Sequence, residues 1–166
     1  MKKIGLIMIL ILGMVMFTAC GNKNELEYVK NIKVEDIFNQ KEDDYFIYFH
    51  QVDCQDCEQS DPAVINYAMS IDKRSGCASK RKIYAVLLHP DSKIFRAYSG
   101  SNGQGTDGKY FVNGVTEWED LYIASTASMI AISTNLKGEK TASYVAQGSS
   151  RVNEELSTQL GECYSK

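Results

Sequence analysis

The spacing of apolar and polar positions changes period several times along the chain. Val34, Ile37 and Phe38 stand at i, i+3 and i+4, which predicts a short helix ending near Lys41. Tyr45 to Phe49 is an aromatic and β-branched run with no internal charge, the look of a strand buried on both faces. After Cys57, Val64, Ile65, Ala68 and Met69 form one apolar stripe and predict a helix to about Ile71. Lys82 to Leu88 reads as a second buried strand, closed by His89-Pro90. Residues 91–114 carry little periodicity and several glycines, and read as a long loop or a partly helical insertion. Trp118 and Leu121 suggest a helical turn. Met129 to Ser133 and Thr141 to Ala146, joined by a turn over Asn135 to Lys140, form a hairpin. Ser149 or Ser150 caps a final helix with Val152, Leu156 and Leu160 inward. A layered α/β sandwich accommodates this order.

The head of the chain follows a different logic. Lys2 and Lys3 precede an apolar run from Ile4 to Phe17, then Thr18, Ala19 and Cys20, the layout of a secretory signal. That run is shorter than the roughly 20 residues a spanning helix needs. Phe17-Thr18-Ala19-Cys20 resembles the lipobox of bacterial lipoproteins, with Phe17 where Leu is usual. The resemblance implies cleavage after residue 19, lipid on Cys20 and a location on the extracytoplasmic face of the cell membrane. Residues 1–19 are then signal peptide, 20–30 a tether and 31–166 one domain.

The whole chain has 166 residues and a formal net charge of −3, which argues against nucleic acid as a partner. Of five cysteines, Cys20 is assigned to lipid, leaving four in a compartment where disulfides persist. Cys54-Gln55-Asp56-Cys57 follows a buried strand and opens a helix. That position places Cys54 where exposed N–H groups and the helix dipole stabilise a thiolate.

The segment from Tyr48 through Cys57, with Pro62 five residues beyond, resembles the active-site strand and kinked helix of the thioredoxin superfamily. Trp118-x-x-Leu121 followed by Ser125 to Ile130 is similar to that family's downstream stretch. The likeness covers roughly residues 33–160. It implies a thioredoxin-like three-layer α/β/α sandwich with a mixed sheet and an insertion before the final hairpin. It further implies Cys54 as nucleophile, Cys57 as resolving thiol and a substrate-facing loop at Thr126 and Ala127. In that topology the two long helices end together, which implies a structural disulfide between Cys77 and Cys163.

Three features depart from the family pattern. Ala127 replaces a cis proline, and because a cis bond before a non-proline costs about 2.5–4 kcal/mol, Thr126–Ala127 is expected to be trans. Tyr48 stands where many members bury a carboxylate, leaving His50 as the candidate for proton transfer. Asp53, Asp56 and Glu58 place negative charge around the pair and oppose the helix dipole.

The function expected is thiol–disulfide exchange with exported proteins that carry cysteine pairs, supported by a membrane redox partner. No cofactor or metal is implied, and a monomer suffices. Two other readings of the same residues stay open: a redox-inactive binding module with a structural disulfide, and a metal-handling lipoprotein using Cys54, Cys57 and His50. Gly103-x-Gly105-x-x-Gly108 matches a dinucleotide fingerprint only in spelling, because such a fingerprint follows a strand and opens a helix, whereas Lys109 to Val112 reads as extended. His89 is given no role.

Overall fold

A computed structural model of the protein describes residues 25–96 and 112–164. The expected signal segment, Cys20, the start of the tether and most of the 91–114 insertion lie outside the described residues.

Five strands form one mixed sheet: β1 (Lys30–Asn31), β2 (Asp44–His50), β3 (Lys82–Leu87), β4 (Ser128–Thr134) and β5 (Lys140–Gln147). Their order is β1-β3-β2-β4-β5. The three on the β1 side run parallel, whereas β2 pairs antiparallel with β4 and β4 with β5. The expected central strands appear because β2 is buried on both sides, with Tyr45, Ile47 and Phe49 on one face and Phe46 and Tyr48 on the other. A five-residue turn closes the hairpin, with Gly138 at a positive φ of 79°.

Two helices, α1 (Gln55–Lys73) and α2 (Ser149–Tyr164), pack side by side on the Phe46/Tyr48 face. Val64, Tyr67 and Ala68 of α1 and Val152, Leu156 and Leu160 of α2 fill the space between helices and sheet. α1 carries Pro62 without breaking. The fold is therefore mixed α/β.

The opposite face differs from a helical third layer. Among the described residues it is covered by 3-10 turns at Val34–Asp36 and Trp118–Asp120 and by irregular chain bearing Ile94, Val112, Leu121 and Ile123. The helix expected through Lys41 is one 3-10 turn. Its apolar triplet is too short to sustain helix nucleation, so Ile37 is held by tertiary burial, and its carbonyl accepts from the Tyr45 hydroxyl at 2.7 Å. β1 was not among the expected elements: two residues carry no periodicity. Asn31 ties it down by donating to the Leu26 and Val29 carbonyls at 3.0 and 2.9 Å.

Candidate functional site

β2 delivers the chain to the sheet's end at His50, and residues 51–54 turn it into α1. Asp53 takes the left-handed conformation in this turn, φ 57°, which Asp tolerates better than most side chains. Cys54 is then the N-cap of α1, and its Sγ accepts from the Cys57 N–H at 3.1 Å. Cys54 and Cys57 are joined as a disulfide with Cα atoms 5.1 Å apart. Cys57 is 2% exposed, one turn inside the helix, while Cys54 is only partly covered. The more accessible of the two cysteines is thus also the one whose sulfur is held by an amide of the first helical turn.

The loop before β4 closes over this pair. The Thr126 hydroxyl lies 2.9 Å from Oε1 of Gln51 and 3.3 Å from Sγ of Cys54. Its single proton therefore has two acceptors to choose between. The trans expectation for Thr126–Ala127 is overturned, because the bond is cis. The energy rule treats a peptide bond in isolation, whereas here Ala127 is fully buried among helix-side residues and its carbonyl accepts from Gly148 N–H at 2.8 Å. Thr126 offers its side chain to the sulfur; Ala127 packs inward.

A polar group missed by sequence reasoning lies on the helix side of β2. The buried hydroxyl of Tyr48 donates to Oδ1 of Asp61 at 2.8 Å and sits 2.8 Å from Oγ of Ser60. Burial pushes the Tyr48 phenol far above its ordinary range, with the Asp61 charge adding to the rise, so it remains a donor. Burial also raises the Asp61 carboxyl, against the hydrogen bond from Tyr48. The signal was present in the spacing: Asp61 follows Cys57 by four residues, one helical turn on the same face.

His50 is 4% exposed, stacks on the Tyr48 ring with centroids 5.8 Å apart, and has no hydrogen-bond partner at Nε2 among the described residues. Burial lowers its pKa to about 4. The imidazole is therefore neutral near pH 7, suited to accepting a proton and poor at supplying one.

The three acidic neighbours separate. Asp56 turns toward α2, where its Oδ1 accepts from the Ser149 hydroxyl at 2.9 Å. Asp53 and Glu58 stay exposed. Among the described residues no three His, Cys, Asp or Glu side chains are placed to hold one metal ion, so His50, Cys54 and Cys57 are not gathered as a ligand set.

At the far ends of the two helices, Cys77 and Cys163 are joined, with Cα atoms 5.0 Å apart. Gly76 allows that approach, since a Cβ there would stand 3.2 Å from the Cys163 carbonyl oxygen. No protein-family model matches the chain, and no curated protein matches it. Among the described residues no helix is long and apolar enough to cross a membrane.

Proposed function

We propose that the protein is an extracytoplasmic thiol–disulfide oxidoreductase of thioredoxin-like fold, anchored by lipid on Cys20, that acts on cysteines of exported proteins through Cys54 and Cys57. One observation carries the reading: a partly exposed cysteine at a helix N-terminus is linked to a buried cysteine one turn on, with an amide and a hydroxyl both directed at the outer sulfur. Both contacts favour a thiolate at Cys54 over a neutral thiol. The parallel β1-β3-β2 half, the antiparallel β4-β5 hairpin and the helices beside the pair support the fold reading.

In the oxidising direction, a partner's thiolate attacks Sγ of Cys54. The Cys54–Cys57 bond breaks, a mixed disulfide forms at Cys54, and Cys57 leaves as a thiolate that takes up a proton. The partner's second thiolate then attacks its own sulfur in the mixed disulfide and releases Cys54. The partner gains one disulfide, and this chain gains two electrons and the two protons the partner's thiols gave up. The reducing direction is the same sequence reversed. A membrane redox partner resets the pair.

Proton transfer is assigned to His50 as an acceptor, with Asp61 supporting it through Tyr48 as a positioning residue. Both roles have a test that a purely structural role would not pass. In the reducing direction, His50→Gln and Asp61→Asn should each change the pH profile of the step in which Cys57 gives up its proton and attacks the mixed disulfide, while leaving the partner-concentration dependence of the first attack by Cys54 in place.

Trapping tests the assignment. In cells producing the Cys57→Ser variant, mixed disulfides with exported proteins should accumulate on Cys54, and the Cys54→Ser/Cys57→Ser variant should show none. If nothing is trapped and the purified chain exchanges with no small disulfide, a redox-inactive binding module replaces this reading. Mass spectrometry of the mature N-terminus tests the anchor: an unmodified Cys20 inside a longer chain would remove it.

A further inference from the structure

We propose that the cleft beside the Cys54–Cys57 disulfide seats a cationic side chain, arginine or lysine, of the polypeptide whose cysteines are exchanged. This inference names the substrate class of the reaction proposed above and rests on that reaction for its meaning. The cleft has a volume of about 190 Å³ and lies between the β2–α1 turn, the first turns of α1 and the segment leading into β1. For scale, a cavity of about 150 Å³ in another protein admits benzene, so one long side chain fits.

Its chemistry is one-sided. Glu25, Asp53, Glu58 and Asp61 line it, and among the described residues no lysine or arginine does. None of the four is ion-paired among the described residues. Asp61 feels the Glu58 charge directly.

A second, independent feature points the same way. His50 lies two residues beyond Tyr48 on β2, so strand alternation puts its imidazole on the helix side, and the residue is among those that line the cleft. That ring is 4% exposed and its Nε2 has no partner among the described residues, which is costly for a buried polar atom unless something donates to it. Held neutral by burial, it can accept through Nε2 when the proton is on Nδ1.

The Tyr48 hydroxyl donates to Oδ1 of Asp61, and none of these acceptors has a cationic partner among the described residues. An anion would be repelled, and an apolar chain would desolvate carboxylates with nothing in return. A metal ion needs converging ligands, and among the described residues no three converge. An ammonium offers three donors and a guanidinium five, spread widely enough to meet groups that do not converge on a point. The cleft is also coupled to the disulfide, since Gln51 at its edge shares the Thr126 hydroxyl with Cys54.

The test is equilibrium binding to the full-length protein in detergent. The probes are two fluorescent peptides, identical except for arginine or the isosteric neutral citrulline two residues from a serine that replaces cysteine. At low ionic strength the arginine peptide should bind roughly fivefold tighter, as expected for a partly exposed ion pair. The preference should shrink toward unity in 0.5 M salt and in the Asp53→Asn/Glu58→Gln variant; Asn tolerates the left-handed conformation at position 53. Equal affinities, or a preference untouched by that variant, would overturn the cationic cleft. So would stoichiometric binding of calcium or zinc at micromolar concentration that abolishes the preference, which would assign the cleft to a metal. Exchange with the neutral hydroxyethyl disulfide is measured in parallel. Its absence would count against the oxidoreductase reading alone, because the binding comparison needs no turnover.

Discussion

Tyr48 and Asp61, thirteen residues apart in sequence, are joined by a 2.8 Å hydrogen bond on the helix side of β2. The bond holds a half-buried carboxyl that burial keeps above its ordinary pKa. A carboxyl with a raised folded pKa leaves the native state holding more protons than the unfolded state as pH climbs past the unfolded value. Its contribution to stability therefore falls across that window and stays low above it. Asp61→Asn keeps an oxygen for Tyr48 and removes the ionisation. The variant should be at least as stable as the parent at pH 7, with the difference between the two narrowing toward pH 4. Urea midpoints at both values check this, and a variant clearly less stable at pH 7 would count against the burial argument.

His50 acts with the opposite sign. Its pKa is depressed by burial from 6.5 to about 4, so the unfolded chain binds the extra proton first. Stability from this group is complete above pH 6.5 and is lost as pH falls toward 4, by roughly 3 kcal/mol at most. Replacing His50 with Gln should flatten the urea midpoint between pH 6.5 and 4 relative to the parent. An unchanged slope would show that the imidazole is already charged or solvated in the native state.

Thr126→Val is close to isosteric and deletes the hydroxyl shared by Gln51 and Cys54. Once Cys54 is a thiolate, it becomes the stronger acceptor, so losing this donor destabilises the dithiol form. The variant's Cys54 should titrate about one pKa unit higher, and its couple should be more reducing by about 30 mV. Thiolate absorbance against pH reports the first effect, and equilibration with glutathione buffers the second.

Much of this arrangement was legible because local pattern and tertiary role agree. The uncharged run at Tyr45 to Phe49 is a strand covered on both faces, and the stripe at Val64, Ile65, Ala68 and Met69 belongs to a long helix. What escaped depends on distant partners. β1 exists because β3 offers an edge, the cis bond at Thr126–Ala127 is set by contacts with neighbouring segments, and the apolar triplet at Val34, Ile37 and Phe38 is used for burial without a helix to carry it. Asp61 is not marked by the charges adjacent to the cysteines, because the carboxyl bonded to Tyr48 is one turn deeper in the helix.

Cys77 and Cys163 close 86 residues of chain. In the loop-entropy picture such a link restricts the unfolded chain by roughly 4–5 kcal/mol. The Cys77→Ala/Cys163→Ala variant should therefore melt well below the parent while its Cys54 still reacts with alkylating reagents. A melting temperature within a degree or two of the parent would mean that packing of α1 against α2 already holds the two ends together.

In the proposed reaction Cys54 and Cys57 cycle while the rest of the fold stays intact. The most direct measurement equilibrates the full chain with graded dithiothreitol and glutathione buffers, quenches by alkylation and counts modified cysteines by mass. A two-electron transition of Cys54 and Cys57 is expected with a midpoint between about −270 and −200 mV, the range of mild exchange couples. On brief alkylation of the reduced form, Cys54 should be labelled before the buried Cys57. A pair that stays oxidised until below about −300 mV, as structural disulfides do, would contradict the account.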